Sequence, residues 1–214
     1  GCTNILSSIQ NVNLSKKKLA NSSVYFEQKI LKEIVGSQDQ IAASYGGFNS
    51  IKFLKDGSYT IKDLKIDKKI EKKLNKRLIL LFTGNQRRAN DIAKTYVNKL
   101  TKQKKKQMME IQGFVDKAKI FLKKGLLDES WQKKKELSNN ISSNFIDDIY
   151  SKAIQNGALG GKILGAGGGG FFLFYVREDK LLNFKKSFSN FELISFNFEK
   201  EGSKIIFNSK KKDE

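Results

Sequence analysis

Three stretches of this chain hold residue types whose spacing could do chemistry. Glu27 and Asp39 are two carboxylates on either side of a glycine corner at Gly36. Asp39 lies in the opening turn of a short helical stretch that starts at Ser37, where the helix dipole favours the ionised form. Such a pair suits acid/base work, although a capping aspartate is the plainer reading. Thr83-Gly-Asn-Gln-Arg87-Arg88 ends an apolar run and enters a helical pattern. Anions bind at such strand ends and helix starts, and two surface arginines at a turn would read the same way. Finally, seven of the seventeen glycines fall between Gly160 and Gly170, flanked by the apolar runs Ala158 to Leu164 and Phe171 to Val176. Two strands joined by a turn without side chains let a backbone or a phosphate come close, and an unliganded glycine hairpin would look alike.

The usual phosphate loops do not fit the glycines. A G-x-x-x-x-G-K-[ST] loop needs one more residue than Gly157 to Gly161 supplies, and Ile163 stands where the magnesium-binding hydroxyl belongs. Gly165-Ala-Gly167-Gly-Gly-Gly170 satisfies G-x-G-x-x-G, but that fingerprint must open a helix, and FFLFYV predicts a strand.

Composition removes whole mechanisms. The 214 residues include no histidine and one cysteine, Cys2. Imidazole bases, histidine–metal sites and an internal disulfide framework are therefore absent. Carboxylate acid/base chemistry and magnesium-assisted phosphoryl transfer remain. No apolar run approaches the roughly 20 residues of a membrane span, and no signal-peptide pattern is present, so a cytoplasmic protein is expected. The net charge of +19 accompanies abundant Lys, Asn, Ile and Phe and no proline. AT-rich coding would produce that bias. The runs Lys104 to Lys106, Lys133 to Lys135 and Lys210 to Lys212 then read as solvated faces. Arginine occurs only at positions 77, 87, 88 and 177, which makes the Arg87-Arg88 pair more informative than any lysine run.

The elements that must position these residues follow from periodicity. A helix is expected over Ser15 to Ile34 with Ser15 as cap and Gly36 as breaker, then a short helix capped by Ser37 and stopped by Gly46-Gly47. Phe48 to Leu54 and Ser58 to Leu64 alternate as a hairpin around Asp56-Gly57. Lys65 to Lys76 reads as a connector and domain boundary. A buried strand follows at Arg77 to Thr83, then helices from Arg88 to about Leu122, Leu126 to Leu137 and Asn144 to Asn156. After the glycine hairpin come a helix near Lys180 to Phe188 and strands near Phe191 to Phe198 and Lys204 to Phe207. Helices and strands mix without strict alternation, which predicts an α+β fold in two layers.

Five ordered motifs together resemble the GHMP sugar kinases. They are Val35-Gly-Ser-Gln-Asp-Gln40, Ala43-Ser-Tyr-Gly-Gly-Phe48-Asn49, Leu81-Phe-Thr-Gly84 with Arg87, Glu129-Ser-Trp-Gln132 with Lys134, and Gly157 to Phe171. Within that family the pattern is most similar to kinases of D-glycero-D-manno-heptose 7-phosphate. The resemblance implies the remainder of an N-terminal domain (residues 1–70) followed by a complete, ferredoxin-like C-terminal α+β domain (71–214). It implies ATP and Mg²⁺ as cofactors and a small sugar phosphate as partner, with no nucleic acid and no membrane. Asp39 matches the aspartate set beside the sugar hydroxyl, and Glu27 the acidic residue that helps hold magnesium. Gly36, Ser37, Gln38, Arg87 and Lys134 fall on the substrate side, Arg87 being inferred to meet the distal phosphate because its guanidinium is a bidentate fork. Gly165, Ala166, Gly167, Gly168, Gly169 and Gly170 match the motif that shapes the nucleotide site.

In one respect the chain departs from that family. It contains no segment of the type P-x-x-x-G-L-G-S-S-S, the loop that wraps the ATP phosphates in these kinases. The expectation is a truncated piece, inactive alone, of an enzyme that phosphorylates the anomeric hydroxyl of the heptose. A fucose or other hexose kinase is the alternative within the family. A noncatalytic basic binding module is the alternative outside it, and it would show steep salt dependence on polyanions.

Overall fold

The computed structural model describes residues 1–84, 89–95, 105–121 and 126–207. They form two compact units, one from Gly1 to Ile66 joined by the chain after Phe198, the other from Asp67 to Asn197.

The first unit opens with helices α1 (Cys2–Ile9) and α2 (Lys16–Tyr25). Ser15 caps α2 as expected, its hydroxyl accepting from the Lys18 amide. The helix does not run on to Ile34. It widens into a π turn over Phe26–Ile30, with the Leu31 amide donating to the Phe26 carbonyl, and it ends at Lys32, which turns left-handed at φ 55°. The break thus falls at a non-glycine residue that carries no stop signal, ahead of Gly36. Helix α3 (Gln38–Tyr45) follows and stops at Gly46. Ser37 holds its N-cap position, but at φ −98° and ψ 1° its hydroxyl makes no capping hydrogen bond. Strands β1 (Asn49–Phe53) and β2 (Tyr59–Asp63) form the expected antiparallel hairpin. Its turn is held by Asp56, whose Oδ1 accepts from the Ser58 amide and hydroxyl, bonds that also keep this carboxylate's pKa below its ordinary value. The expected strand at Lys204 to Phe207 does not form. This tail instead bonds back to the unit, the Gly47 amide donating to Glu199, the Ser203 amide to Ala43 and the Asn4 side-chain amide to Ser203.

In the second unit, the lysine-rich segment expected to be a connector is a helix, α4 (Lys68–Arg77), capped by Asp67. Ile70 and Leu74, four residues apart, give it the apolar stripe that a run of lysines had obscured. Strand β3 (Leu78–Phe82) leads to α5 (Ala89–Lys94), α6 (Lys105–Phe121), α7 (Leu126–Lys135) and α8 (Asn144–Gln155). Strands β4 (Ala158–Ile163) and β5 (Phe171–Val176) flank the glycine turn, and α9 (Leu181–Ser187) returns the chain to the short strand β6 (Glu192–Ile194). The sheet order β4-β5-β3-β6 is antiparallel throughout, which is the ferredoxin-like arrangement. β6 is far shorter than the expected Phe191 to Phe198 because it pairs only with Leu80 to Phe82 of β3.

Alternation along the strands builds the core. Ile79 and Leu81 of β3 pair in register with Phe174 and Phe172 of β5, so all four share one buried face. Trp131, Ile149, Ala153, Phe184 and Phe188 pack with them. The Phe172 and Phe174 rings stack 4.8 Å apart, and Trp131 meets Phe172 edge-on at 5.6 Å.

Candidate functional site

In the first unit the two candidate carboxylates lie on separate elements. Glu27 sits in the π turn, half-buried, and its Oε2 accepts a 2.5 Å hydrogen bond from Nε2 of Gln40. Widened turns of this kind recur at functional sites, because the extra residue swings one side chain out of the helical register. Gln40 is buried in α3, and its other amide atom, Oε1, has no partner among the described residues. Its carbonyl accepts from the Ser44 hydroxyl, which fixes that turn of the helix. Asp39 is the next residue back, exposed in the first turn of α3. Gln40 therefore joins the element that carries Asp39 to the one that carries Glu27. Nothing in the sequence separated it from its neighbours, since the contact spans thirteen positions and depends on how α2 meets α3. Gly36 and Gln38 are exposed beside Asp39, and Ser37 is half-buried.

This arrangement suits a magnesium ion in a limited way. No group of three or more Asp, Glu, Cys or His gathers among the described residues. Mg²⁺ is commonly held by one or two carboxylates with substrate phosphates and water completing the shell, so Glu27 alone meets the requirement.

In the second unit the glycine turn is bound on three sides. Leu164 donates to Phe171, and Thr83 at the end of β3 donates to the Gly170 carbonyl from both its amide and its hydroxyl, each at 2.9 Å. Gly168 donates to the Ile141 carbonyl at 2.8 Å. Every glycine from Gly167 to Gly170 has positive φ, and a Cβ on Gly167 would stand 3.0 Å from the Ile141 oxygen. Conformation thus disfavours side chains at all four positions, and contact excludes one at Gly167 as well. The amides of Gly165, Ala166, Gly167, Gly169 and Gly170 have no acceptor among the described residues. A turn of left-handed residues with unoccupied N–H groups can donate to phosphate oxygens.

Lys134, expected on the substrate side, lies under this turn. Its Nζ donates to the carbonyls of Ile163 at 3.2 Å and Gly165 at 2.5 Å. Burial, and then the like charge of Lys162, push its pKa down to about 8. The run Lys133 to Lys135 is therefore no uniform solvated face: Lys133 pairs with Glu110 and Glu136, and Lys135 with Asp147. Trp131 is wholly buried and belongs to the core, whereas exposed Gln132 donates to Asp128. Asp128 also accepts the Tyr150 hydroxyl at 2.5 Å. Burial first, and that carboxylate second, hold the Tyr150 phenol well above its ordinary pKa. Arg87 and Arg88 lie outside the described residues, as do Lys104 and Lys210 to Lys212.

Residues 122–191, which include the glycine turn and its Lys134 prop, match the family of the GHMP kinases C-terminal domain. This part of the chain is therefore a GHMP kinase C-terminal region. The chain is 32% identical over 204 residues to the D-glycero-alpha-D-manno-heptose 7-phosphate kinase of Campylobacter jejuni, a match covering 91% of this chain and 60% of that protein. The chain thus spans about three fifths of the length of this relative. Among solved structures, a candidate sugar kinase from Campylobacter jejuni is 30% identical with a TM-score of 0.66, over 92% of this chain and 58% of that one. A mevalonate kinase at 21% identity shares the fold at a TM-score of 0.69, over 91% of this chain and 60% of the other. The fold is accordingly α+β, and none of the described helices is long and apolar enough to cross a membrane.

Proposed function

We propose that this chain is part of a kinase that moves a phosphoryl group from ATP, with Mg²⁺, to the anomeric hydroxyl of D-glycero-D-manno-heptose 7-phosphate in the cytoplasm. The observation that carries the reading is the 32% identity to a heptose 7-phosphate kinase across nearly all of this chain. The domains we propose are 1–70 and 71–214, the first being part of a larger N-terminal domain. Asp39, exposed on α3, would take the proton of the sugar hydroxyl or orient it, with Gly36, Ser37 and Gln38 lining the sugar beside it. Glu27 would hold the metal, its second oxygen fixed by Gln40. Bound Mg²⁺ would offset charge on the transferring phosphoryl group. The open amides of the glycine turn would face the nucleotide, and Arg87 the distal phosphate of the sugar.

The test is an assay of the complete gene product with ATP and Mg²⁺ against heptose 7-phosphate, mannose and fucose, with products followed by mass. Phosphorylation of the heptose alone is expected. Turnover only of an unphosphorylated sugar would remove the distal-phosphate role of Arg87, and turnover of none would remove the kinase reading.

A further inference from the structure

The three lysines at the end of α7 have three different fates, and one of them is unusual. Lys133 and Lys135 meet carboxylates on α6, just past α7 and on α8. Lys134 meets none. It directs its ammonium to two backbone carbonyls, the last of β4 and the first of the glycine turn. Among the described residues, Lys162 of β4 opposes it with its like charge, while Glu110 of α6 and Asp147 of α8 are turned to its neighbours.

A chain leaving a strand through consecutive left-handed glycines has wide conformational freedom, so its path must be imposed from outside. Thr83 fixes the far end at Gly170, and Ile141 the middle at Gly168. The near end leaves the ladder after Leu164, which donates to Phe171, and Lys134 holds the next carbonyl on, that of Gly165.

We propose that Lys134 is a positioning residue of the glycine turn: it ties the Ile163 and Gly165 carbonyls to α7 and thereby sets the angle at which the turn presents its open amides to the nucleotide. The nucleotide part rests on the kinase reading; the tie itself does not. Lys134 is thus moved from the substrate side to the nucleotide side of the site. Its low pKa adds a signature. The unfolded lysine keeps its proton up to about 10.5 and the folded one only to about 8, so this group makes stability rise with pH across that interval.

Two measurements test the proposal. In the complete gene product, Lys134→Met is expected to raise the apparent KM for ATP roughly tenfold while the KM for the sugar stays within about twofold, and Lys134→Arg, which can still donate to two carbonyls, restores most of the loss. An unchanged ATP KM in a folded Lys134→Met protein would overturn the nucleotide role. Independently of activity, the carbonyl ¹³C resonances of Ile163 and Gly165 in the wild-type protein are expected to titrate with a midpoint near 8, and to lose that step in Lys134→Met or Lys134→Arg. Carbonyl resonances that neither titrate nor differ between the wild type and a folded Lys134→Met protein would overturn the tie, whatever the enzyme assay gives. If the wild type phosphorylates nothing while these carbonyls titrate, the kinase reading falls and the tie stands.

Discussion

The unit that carries the candidate carboxylates and the unit that carries the glycine turn hold their functional groups by different means. The glycine turn is backed by aromatic packing. Trp131, Phe172, Phe174, Phe184 and Phe188 are all fully buried beneath its flanking strands, and Gly161 lies so close to Phe174 that a Cβ there would stand 2.3 Å from the ring. Among its described apolar residues the carboxylate unit buries only Leu19, Ala20 and Ile41, and it leaves Ile5, Leu6, Ile9, Phe26 and Ile30 half exposed or more. Its geometry comes from hydrogen bonds, a π turn and one cross-helix amide. A backbone site without side chains must borrow rigidity from its surroundings, whereas a carboxylate needs only its own helix and one partner.

The largest effect should follow from cutting into the aromatic core. Phe174→Ala is expected to destabilise the second unit by about 3–5 kcal/mol, read as a lowered denaturation midpoint, because the ring is stacked and wholly buried. A cost below about 1 kcal/mol would show that the turn does not depend on that packing. Next, Asp39→Asn in the complete gene product should lower kcat by at least about 10²-fold while leaving nucleotide affinity and thermal stability near wild type. Since Asp39 is exposed, a large loss of stability instead would make it a structural cap. Gly161→Ala should cost about 1–3 kcal/mol by overpacking against Phe174, measured by chemical denaturation. At Glu27, Gln40→Met should weaken Mg²⁺ dependence about tenfold without moving the sugar KM, as loss of a partner orienting a metal ligand does. The smallest change is Ser15→Ala, about 1 kcal/mol from loss of the α2 cap, visible as a lower melting temperature of the carboxylate unit alone.

What was legible beforehand divides along the same line. The hairpin around Asp56-Gly57, the Ser15 cap, the strands on either side of the glycine turn and the stop at Gly46 were all local signals, and each forms at or within a residue or two of its expected place. The misread elements failed for want of non-local information. Lys65 to Lys76 reads as a connector because its charge masks two apolar residues at helical spacing, yet Lys68–Arg77 is a helix of the second unit. The segment after Phe191 looked like a long strand, yet only three residues find a partner on β3. Ser37 looked like a cap, yet the chain arrives from the Lys32 turn with dihedrals that keep its hydroxyl off the helix amides.

The sequence by itself determined where the backbone must bend without side chains, which faces of β3 and β5 are apolar, and that any catalysis runs without imidazole. Glycine, alternation and composition are properties of residues and near neighbours, so they can be read along the chain. Tertiary structure alone decided that Gln40 holds Glu27, that Thr83 and Ile141 fix the glycine turn, and that three successive lysines meet three kinds of partner. Those contacts join residues far apart in sequence, and a long flexible side chain acquires its role only when packing brings an acceptor within reach.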